Sequence, residues 1–144
     1  MPKFQEDYRE SHVPNQEHDF ASLFVGNIYD CDNKSIWGFT HPDPSQKFHP
    51  GACIAYFPKR RESLLLKGTS QRPNSNYAHR YVQIEHEDPN VLDRATYFNI
   101  EPRHTVRDHR MRYLHEDHVR GELSEEDLQR LRMKSKEVFG WGEE

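Results

Sequence analysis

The stretch Gly121-Glu122-Leu123-Ser124-Glu125-Glu126-Asp127-Leu128 predicts the start of a helix. The long region before it has a pattern that predicts short strands. Ser124 can accept hydrogen bonds from the free backbone N–H groups of the first turn, and the acidic residues after it suit the positive end of the helix dipole. The residues that then recur at helical spacing are Leu128, Leu131, Ser135, Val138 and Phe139. The sequence therefore predicts a mainly β body closed by one C-terminal amphipathic helix.

The composition of the 144 residues predicts one domain with a small core, because 31% of the residues are charged and 33% are hydrophobic. No apolar run approaches the length that crosses a bilayer, so we expect no membrane association. The two cysteines, Cys31 and Cys53, do not form a disulfide framework. They favour a reduced, cytoplasmic protein over one with a Cys31–Cys53 disulfide.

The chain divides into a polar N-terminal arm, residues 1–19, and a single domain over residues 20–144. Loops rich in proline, asparagine and serine separate its strand-like segments, and 41–47 and 71–78 are the clearest of them. The strand-like segments are 23–29, 36–39, 52–57, 62–66, 81–85, 96–100, 104–106 and 111–114. Short strands at this spacing fit a small, strongly bent barrel.

Two groups of polar residues next to apolar strands could carry chemistry. Lys67-Gly68-Thr69-Ser70 offers a cation and two hydroxyls to a phosphate, and its glycine allows close backbone approach. A polar strand end that enters a loop is the simpler interpretation of these residues. His49 precedes Pro50 at the start of the strand 52–57, where an imidazole can exchange a proton near neutral pH. An exposed loop histidine is the alternative.

Charged residues and histidines are unevenly distributed along the chain. The net charge of −4 argues against wrapping duplex DNA, although a local basic groove would still attract nucleic acid. If the basic segment 103–112 forms a strand pair, Arg110 and Arg112 share a face that suits single-stranded nucleic acid. The alternative interpretation of this segment is a charged exterior of the barrel. His115 and His118 could bind a metal but lack cysteine partners, so a solvated polar turn is favoured.

Several short motifs follow one another in a defined order along residues 22–140. They are Gly26-Asn27-Ile28-Tyr29, the loop 40–48, His49-Pro50, Thr69-Ser70, Ile100-Glu101-Pro102-Arg103-His104-Thr105-Val106 and the helix start 121–128. In this order they resemble the PemK/MazF family of toxin endoribonucleases. The resemblance implies a small SH3-like barrel that forms a homodimer, with RNA in a groove near the dimer interface.

The resemblance also implies an activity, since family members cut single-stranded RNA without a metal or other cofactor. The ribose 2′-hydroxyl attacks the adjacent phosphate, a side chain accepts its proton, and cations or hydroxyls stabilise the phosphorane. The catalytic candidates carried over are His49, Thr69 and Ser70, and the substrate-binding candidates are Lys47, Lys67, Glu101 and Arg103. The implied partners are single-stranded RNA and the antitoxin protein of a toxin–antitoxin pair.

One difference from the family pattern bears on catalysis. Many members carry an arginine where this chain has His49, and histidine gives a phosphate neither a permanent charge nor a bidentate fork. The acidic residue that some members carry before the final strands has no clean match, because Asn99 and Glu101 flank its place with Ile100 between them. From the resemblance we expect a metal-independent endoribonuclease. Because the arginine is missing, the alternative is a non-catalytic RNA- or protein-binding module on the same barrel. Metal-dependent hydrolysis through His115 and His118 is a third option.

Overall fold

The computed structural model describes residues 23–87 and 90–140, and the predicted arm, residues 1–19, lies outside them. The strands are β1 (Asn27–Asp32), β2 (Phe48–Phe57), β3 (Glu62–Thr69), β4 (Tyr81–Ile84), β5 (Thr96–Asn99), β6 (Thr105–Arg107) and β7 (Val119–Glu122). The other elements are α-helices α1 (Asp108–Asp117) and α2 (Glu125–Phe139), a π-helical turn (Asn33–Trp37) and a 3-10 turn (Ala78–Arg80). Within the described residues, no helix is both long and apolar enough to span a bilayer.

The strands pair antiparallel in the order β4-β5-β3-β2-β1-β7. Strand β3 changes partner along its length, because residues 62–64 pair with β6 whereas residues 68–69 pair with β5. The register between β2 and β3 shifts between Cys53 and Ala55, and a bulge of this kind bends and twists the strand pair. The sheet therefore curls into a half-barrel. A mainly β fold with a C-terminal helix is confirmed.

The sheet buries apolar side chains on both faces, because neighbouring residues of a strand point to opposite sides. On one face, Ile54 and Phe98 belong to a cluster with Leu131 of α2. The second cluster contains buried residues of β1, β2, α1 and the π-helical turn: Tyr29, Cys31, Trp37, Cys53, Met111 and Leu114. The apolar run 52–57 is buried throughout, which confirms the prediction of a central strand there.

Helix α2 begins as its sequence predicts. The Ser124 hydroxyl accepts a hydrogen bond from the backbone N–H of the first turn at 3.1 Å, and acidic residues occupy that turn. The helix ends before Gly140, whose φ of +72° is the left-handed conformation that glycine adopts without strain. In the predicted stripe, Leu131 is fully buried, whereas Val138 at the end of the helix is exposed.

Two predicted strands are wrong. Residues 111–114 belong to helix α1, and residues 36–39 lie in the end of the π-helical turn and in the coil after it. The apolar residues at both ends of 111–114 are buried, and a spacing of three positions is typical of one helix face rather than of strand alternation. Because helical residues two positions apart point to nearly opposite sides, Arg110 and Arg112 do not share a face.

Cys31 and Cys53 are free thiols, so the disulfide alternative is absent. Both lie in the second cluster. Burial raises the pKa of Cys53 to about 12 and raises the pKa of Cys31 well above that of an exposed thiol. The two cysteines therefore act as small, unreactive core residues.

Candidate active site

One end of the sheet, where β2 begins and β3 ends, brings several polar side chains to the same face. Gly51 of β2 lies directly opposite Lys67 of β3. Alternation along each strand then puts His49 and Thr69 on the face that carries Lys67. The strand register therefore assembles these side chains from two separate segments of the chain.

The π-helical turn covers this face next to β2. The Asp32 carboxylate begins the turn by accepting a hydrogen bond from the Ser35 N–H at 2.8 Å. Trp37 packs over Gly51, where an added Cβ would lie 3.0 Å from the indole ring. Glycine is thus the residue that lets the turn close onto the strand, and this closure places Asn33 beside the start of β2.

A chain of hydrogen bonds fixes the ring of His49. Asn33 is buried, its Nδ2 donates to the Gln46 carbonyl at 2.8 Å, and its Oδ1 lies 2.7 Å from Nδ1 of His49. Because Oδ1 accepts and does not donate, Nδ1 of His49 carries the hydrogen, which leaves a lone pair on Nε2 of the neutral ring. The Trp37 indole N–H also donates to the His49 carbonyl, at 3.4 Å.

The surroundings of His49 hold it in the neutral form. Burial lowers its pKa to about 4, with smaller contributions from the charges of Lys67 and His41. The ring centroid lies 5.7 Å from that of Phe39 and 5.9 Å from that of His41. His49 is therefore uncharged at neutral pH, and its Nε2 can accept a proton.

Lys67 supplies positive charge beside this imidazole. Its Nζ lies over the Phe39 ring, 3.8 Å from the centroid, in a cation–π contact. Burial lowers the pKa of Lys67, the Glu101 carboxylate opposes this effect, and the charge of Arg103 adds to it. A cation and a neutral imidazole thus share one half-buried corner. Such a pair can accept a proton and stabilise a developing anion.

The segment after β5 completes the corner. Nε2 of His104 lies 3.7 Å from Oε1 of Glu101, and the His104 ring packs edge-on against Trp37 with centroids 4.8 Å apart. Burial lowers the pKa of His104, and Glu101 opposes this effect. Arg103 is exposed, and its charge reaches both Lys67 and His104. The predicted site residues Glu101 and Arg103 therefore lie in the neighbourhood of Lys67.

The remaining predicted site residues, Thr69, Ser70 and Lys47, differ in burial and in what they contact. Ser70 and His49 line the same cleft of about 300 Å³, which we name the His49 cleft. Thr69 is half-buried, and its Oγ1 accepts a hydrogen bond at 3.2 Å from the backbone N–H two residues later. Lys47 is exposed, and its carbonyl accepts a hydrogen bond from the Asn33 N–H at 2.9 Å. This cleft also contains Leu92 of the first apolar cluster and opens on the sheet face opposite the Lys67 side chain. Ser70 therefore borders His49 from that face, whereas Lys47 supports the turn through its backbone.

The sequence patterns do not predict the residues that orient the predicted ones: Asn33, Trp37, Phe39, His41 and His104. His104 lies within a motif of the family resemblance, whereas nothing distinguishes His41 among the ten histidines of the chain. Asn33 gave no signal of its own. Its contact with His49 depends on the pairing of β1 with β2, in which Cys31 lies opposite His49.

The histidines considered for a metal site are engaged with aromatic side chains. Nδ1 of His115 lies 2.9 Å from the Tyr29 hydroxyl. His118, which follows α1, packs against Phe48 and Tyr113. In the described part of the chain, no group of three or more histidine, cysteine, aspartate or glutamate residues is positioned to hold a metal ion.

A scan of this chain against protein-family models finds no match, and a search of curated proteins finds no significant match. The resemblance to the PemK/MazF family therefore depends on the motifs quoted above and stays a prediction. The half-barrel, the contact between His49 and Asn33 and the contact between Lys67 and Phe39 are observed independently of that resemblance.

Proposed function

We propose that this protein is a metal-independent endoribonuclease that cuts single-stranded RNA at the corner formed by His49 and Lys67. The observation that carries the proposal is the contact of the His49 ring with Asn33, in which Nδ1 lies 2.7 Å from the amide oxygen. Burial also lowers the pKa of His49 to about 4. A neutral imidazole with a lone pair on Nε2 is a general base. RNA suits such a base, because its 2′-hydroxyl is a nucleophile placed beside every phosphate.

In the proposed reaction, Nε2 of His49 takes the proton of the ribose 2′-hydroxyl while the 2′-oxygen attacks the adjacent phosphorus. The bond between phosphorus and the 5′-oxygen breaks, and the leaving oxygen takes a proton from the Lys67 ammonium. The products are a 2′,3′-cyclic phosphate and a 5′-hydroxyl, so no water is consumed. Solvent then removes the proton from His49 and returns one to Lys67.

Lys67 has two roles in this scheme, and its surroundings suit both. Its charge stabilises the negative charge that gathers on the phosphorane, and a half-buried position strengthens this attraction relative to bulk water. Burial also lowers the pKa of Lys67, which makes the ammonium a stronger acid toward the leaving oxygen. Glu101 limits that lowering and helps to keep the lysine charged.

Hydroxyls and exposed cations near the corner are assigned to substrate binding. Thr69 and Ser70 would donate to the non-bridging phosphate oxygens, and Ser70 lines the His49 cleft. Arg103 and Lys47 are exposed and supply local positive charge. Such a cluster attracts an RNA backbone even though the net charge of the chain is −4.

The motif resemblance extends this proposal to a biological role. The protein would be the toxin of a cytoplasmic toxin–antitoxin pair, acting as a homodimer of SH3-like barrels, with its antitoxin as a protein partner. The curled antiparallel sheet with a C-terminal helix is compatible with such a barrel. The alternative is a non-catalytic RNA- or protein-binding module. The exposed rings of Phe48 and Tyr113 favour that alternative.

The test is incubation of the purified protein with a long single-stranded RNA in excess EDTA. Wild type should cut the RNA, and His49→Ala should lose about 10²–10⁴-fold in rate, the usual contribution of a general base. His79→Ala is the matched control, because His79 is an exposed histidine in the 3-10 turn, and it should cut at the wild-type rate. Intact RNA in the presence of folded wild-type protein would reject the nuclease and leave the binding module.

A further inference from the structure

A second cleft, with a volume of about 550 Å³, lies between β1, the π-helical turn and helix α1. Aromatic side chains from several elements line it: Phe48 at the start of β2, Tyr113 on α1 and His118 just after α1. Ile36 and Arg110 also line it. We name this surface the aromatic groove and define it by these five residues.

The rings of the aromatic groove pack against one another and stay open to solvent. The planes of Phe48 and His118 are 28° apart with centroids 6.2 Å apart, and the Tyr113 and His118 centroids are 5.1 Å apart. Nevertheless Phe48 is 46% exposed and Tyr113 is 58% exposed. Single exposed aromatic residues are common on protein surfaces, but several rings in contact along one cleft form an uncovered platform for a flat ligand.

The aromatic groove adjoins the proposed active site along the start of β2. Phe48 lines both the aromatic groove and the His49 cleft. Its side chain points to the strand face opposite that of His49, because neighbouring residues of a strand alternate. A single strand of RNA that passes over the start of β2 can therefore have a phosphate near His49 and a neighbouring base in the aromatic groove.

The charges in the groove favour a base over a phosphate as its occupant. Asp30 and Asp32 both line the cleft, Asp30 paired with Arg120 at 2.9 Å and Asp32 accepting from the Ser35 N–H at 2.8 Å. These carboxylates repel a phosphate, but their remaining lone pairs accept hydrogen bonds from the amino groups of bases. Nη1 of Arg110 donates to the Ser35 carbonyl at 2.9 Å, so the guanidinium contacts the π-helical turn.

We propose that the aromatic groove binds a nucleobase of single-stranded RNA by stacking on Phe48, Tyr113 and His118. Its place beside the scissile phosphate rests on the proposed function, whereas the stacking itself does not require cleavage. Every base has a π face, so this contact contributes affinity with little sequence preference.

The test measures binding of RNA that cannot be cut. The probes are a fluorescent single-stranded oligonucleotide with 2′-O-methyl groups throughout and a matched oligonucleotide without bases. Fluorescence anisotropy gives the Kd for wild type, Tyr113→Ala and Phe48→Ala. Loss of one stack should weaken binding of the base-containing probe by about 5- to 150-fold and leave binding of the abasic probe nearly unchanged.

Two further variants separate the lost ring from other effects of substitution. Tyr113→Phe keeps the ring and should bind the base-containing probe as wild type does. Tyr77→Ala removes a tyrosine of similar exposure, 56%, which lies outside the aromatic groove, and should also bind as wild type does.

The groove proposal is overturned if wild type binds both probes equally, or if Tyr113→Ala and Phe48→Ala bind as wild type does. It is also overturned if these variants change the oligomeric mass in light scattering while RNA affinity stays constant, because a second copy of the chain would then cover the groove. Unmodified RNA in EDTA separates the two proposals. Base-dependent binding without cutting rejects only the nuclease, and cutting without base-dependent binding rejects only the groove.

Discussion

The hydrogen bond between His49 and Asn33 makes the pH dependence of cleavage a quantitative test of the proposed base. Asn33→Asp replaces a neutral acceptor, 2.7 Å from Nδ1 of His49, by a carboxylate of nearly the same shape. In wild type, burial lowers the pKa of His49 to about 4, so kcat/KM should fall only as the pH drops through about 4. A carboxylate at hydrogen-bond distance favours the charged imidazole and raises its pKa by about 1 to 3 pH units.

The acidic limb of the Asn33→Asp profile is therefore expected between about pH 5 and pH 7. At pH 5, where wild-type His49 is mostly neutral, the variant should have about one half to one hundredth of the wild-type kcat/KM. The assay is cleavage of a fluorogenic RNA oligonucleotide in EDTA at constant ionic strength. Asn76→Asp introduces the same charge at an exposed asparagine and should keep the wild-type profile.

An acidic limb that stays near pH 4 in Asn33→Asp would refute the role of His49 as a base held by Asn33. A loss of equal size at every pH would point to the lost Asn33–Gln46 hydrogen bond and a damaged fold instead. Thermal unfolding of the variant above pH 7 distinguishes these outcomes, because a folded protein retains a cooperative transition.

Three further changes test the charge, the proton balance and the packing of the site. Lys67→Met keeps an apolar stem but removes the cation, so its kcat/KM at pH 7 should be about 10²–10³-fold below that of wild type. Lys67→Arg keeps a positive charge and should lose less. Equal activity of Lys67→Met and wild type would contradict the electrostatic role. Because the pKa of His49 is lowered from 6.5 to about 4 on folding, the unfolded chain binds more protons between these values, and wild-type stability should fall as the pH drops through this window. His49→Gln lacks this group and should lose less stability over the same window. The measurement is the urea midpoint of each protein at pH 7 and near pH 4. An equal drop of the midpoint in both proteins would exclude the effect. Gly51→Ala would place a Cβ 2.8 Å from the Cys31 Sγ and 3.0 Å from Trp37, so its free energy of unfolding should drop by about 1–3 kcal/mol; an unchanged urea midpoint would contradict this packing.

Elements whose signals lie within their own sequence could be predicted. Helix α2 has its cap at Ser124, its acidic first turn and its apolar stripe in one continuous segment, and the run 52–57 is apolar enough to mark a central strand. Helix α1 has ten residues, and its buried residues Asp108, Met111 and Leu114 recur every three positions, but only two of them are apolar, so its helical pattern is weak. Strand β7 has no fully buried residue, and it is defined by pairing with β1 rather than by its own pattern.

The candidate site could be predicted only in part, for a related reason. His49 and Lys67 lie at the polar ends of two apolar strands and Glu101 follows a third, and a curled sheet brings such strand ends together. The contact between Asn33 and His49 spans 16 positions and depends on strand register, which a single sequence does not reveal. The neutral state of His49 depends on burial, and Asn33 of the π-helical turn contacts its ring. The apolar residues of this turn predict a strand over 36–39 instead.

The central claim is that the RNA 2′-hydroxyl is the nucleophile and that His49 is its base, and the ends of the cut RNA test this most directly. Mass spectrometry of the products formed in excess EDTA should show 2′,3′-cyclic phosphate and 5′-hydroxyl ends. The same RNA with 2′-O-methyl groups should stay intact, and His49→Ala should form these ends far more slowly. Products with 3′-hydroxyl and 5′-phosphate ends, or cutting of the 2′-O-methyl RNA, would contradict this mechanism.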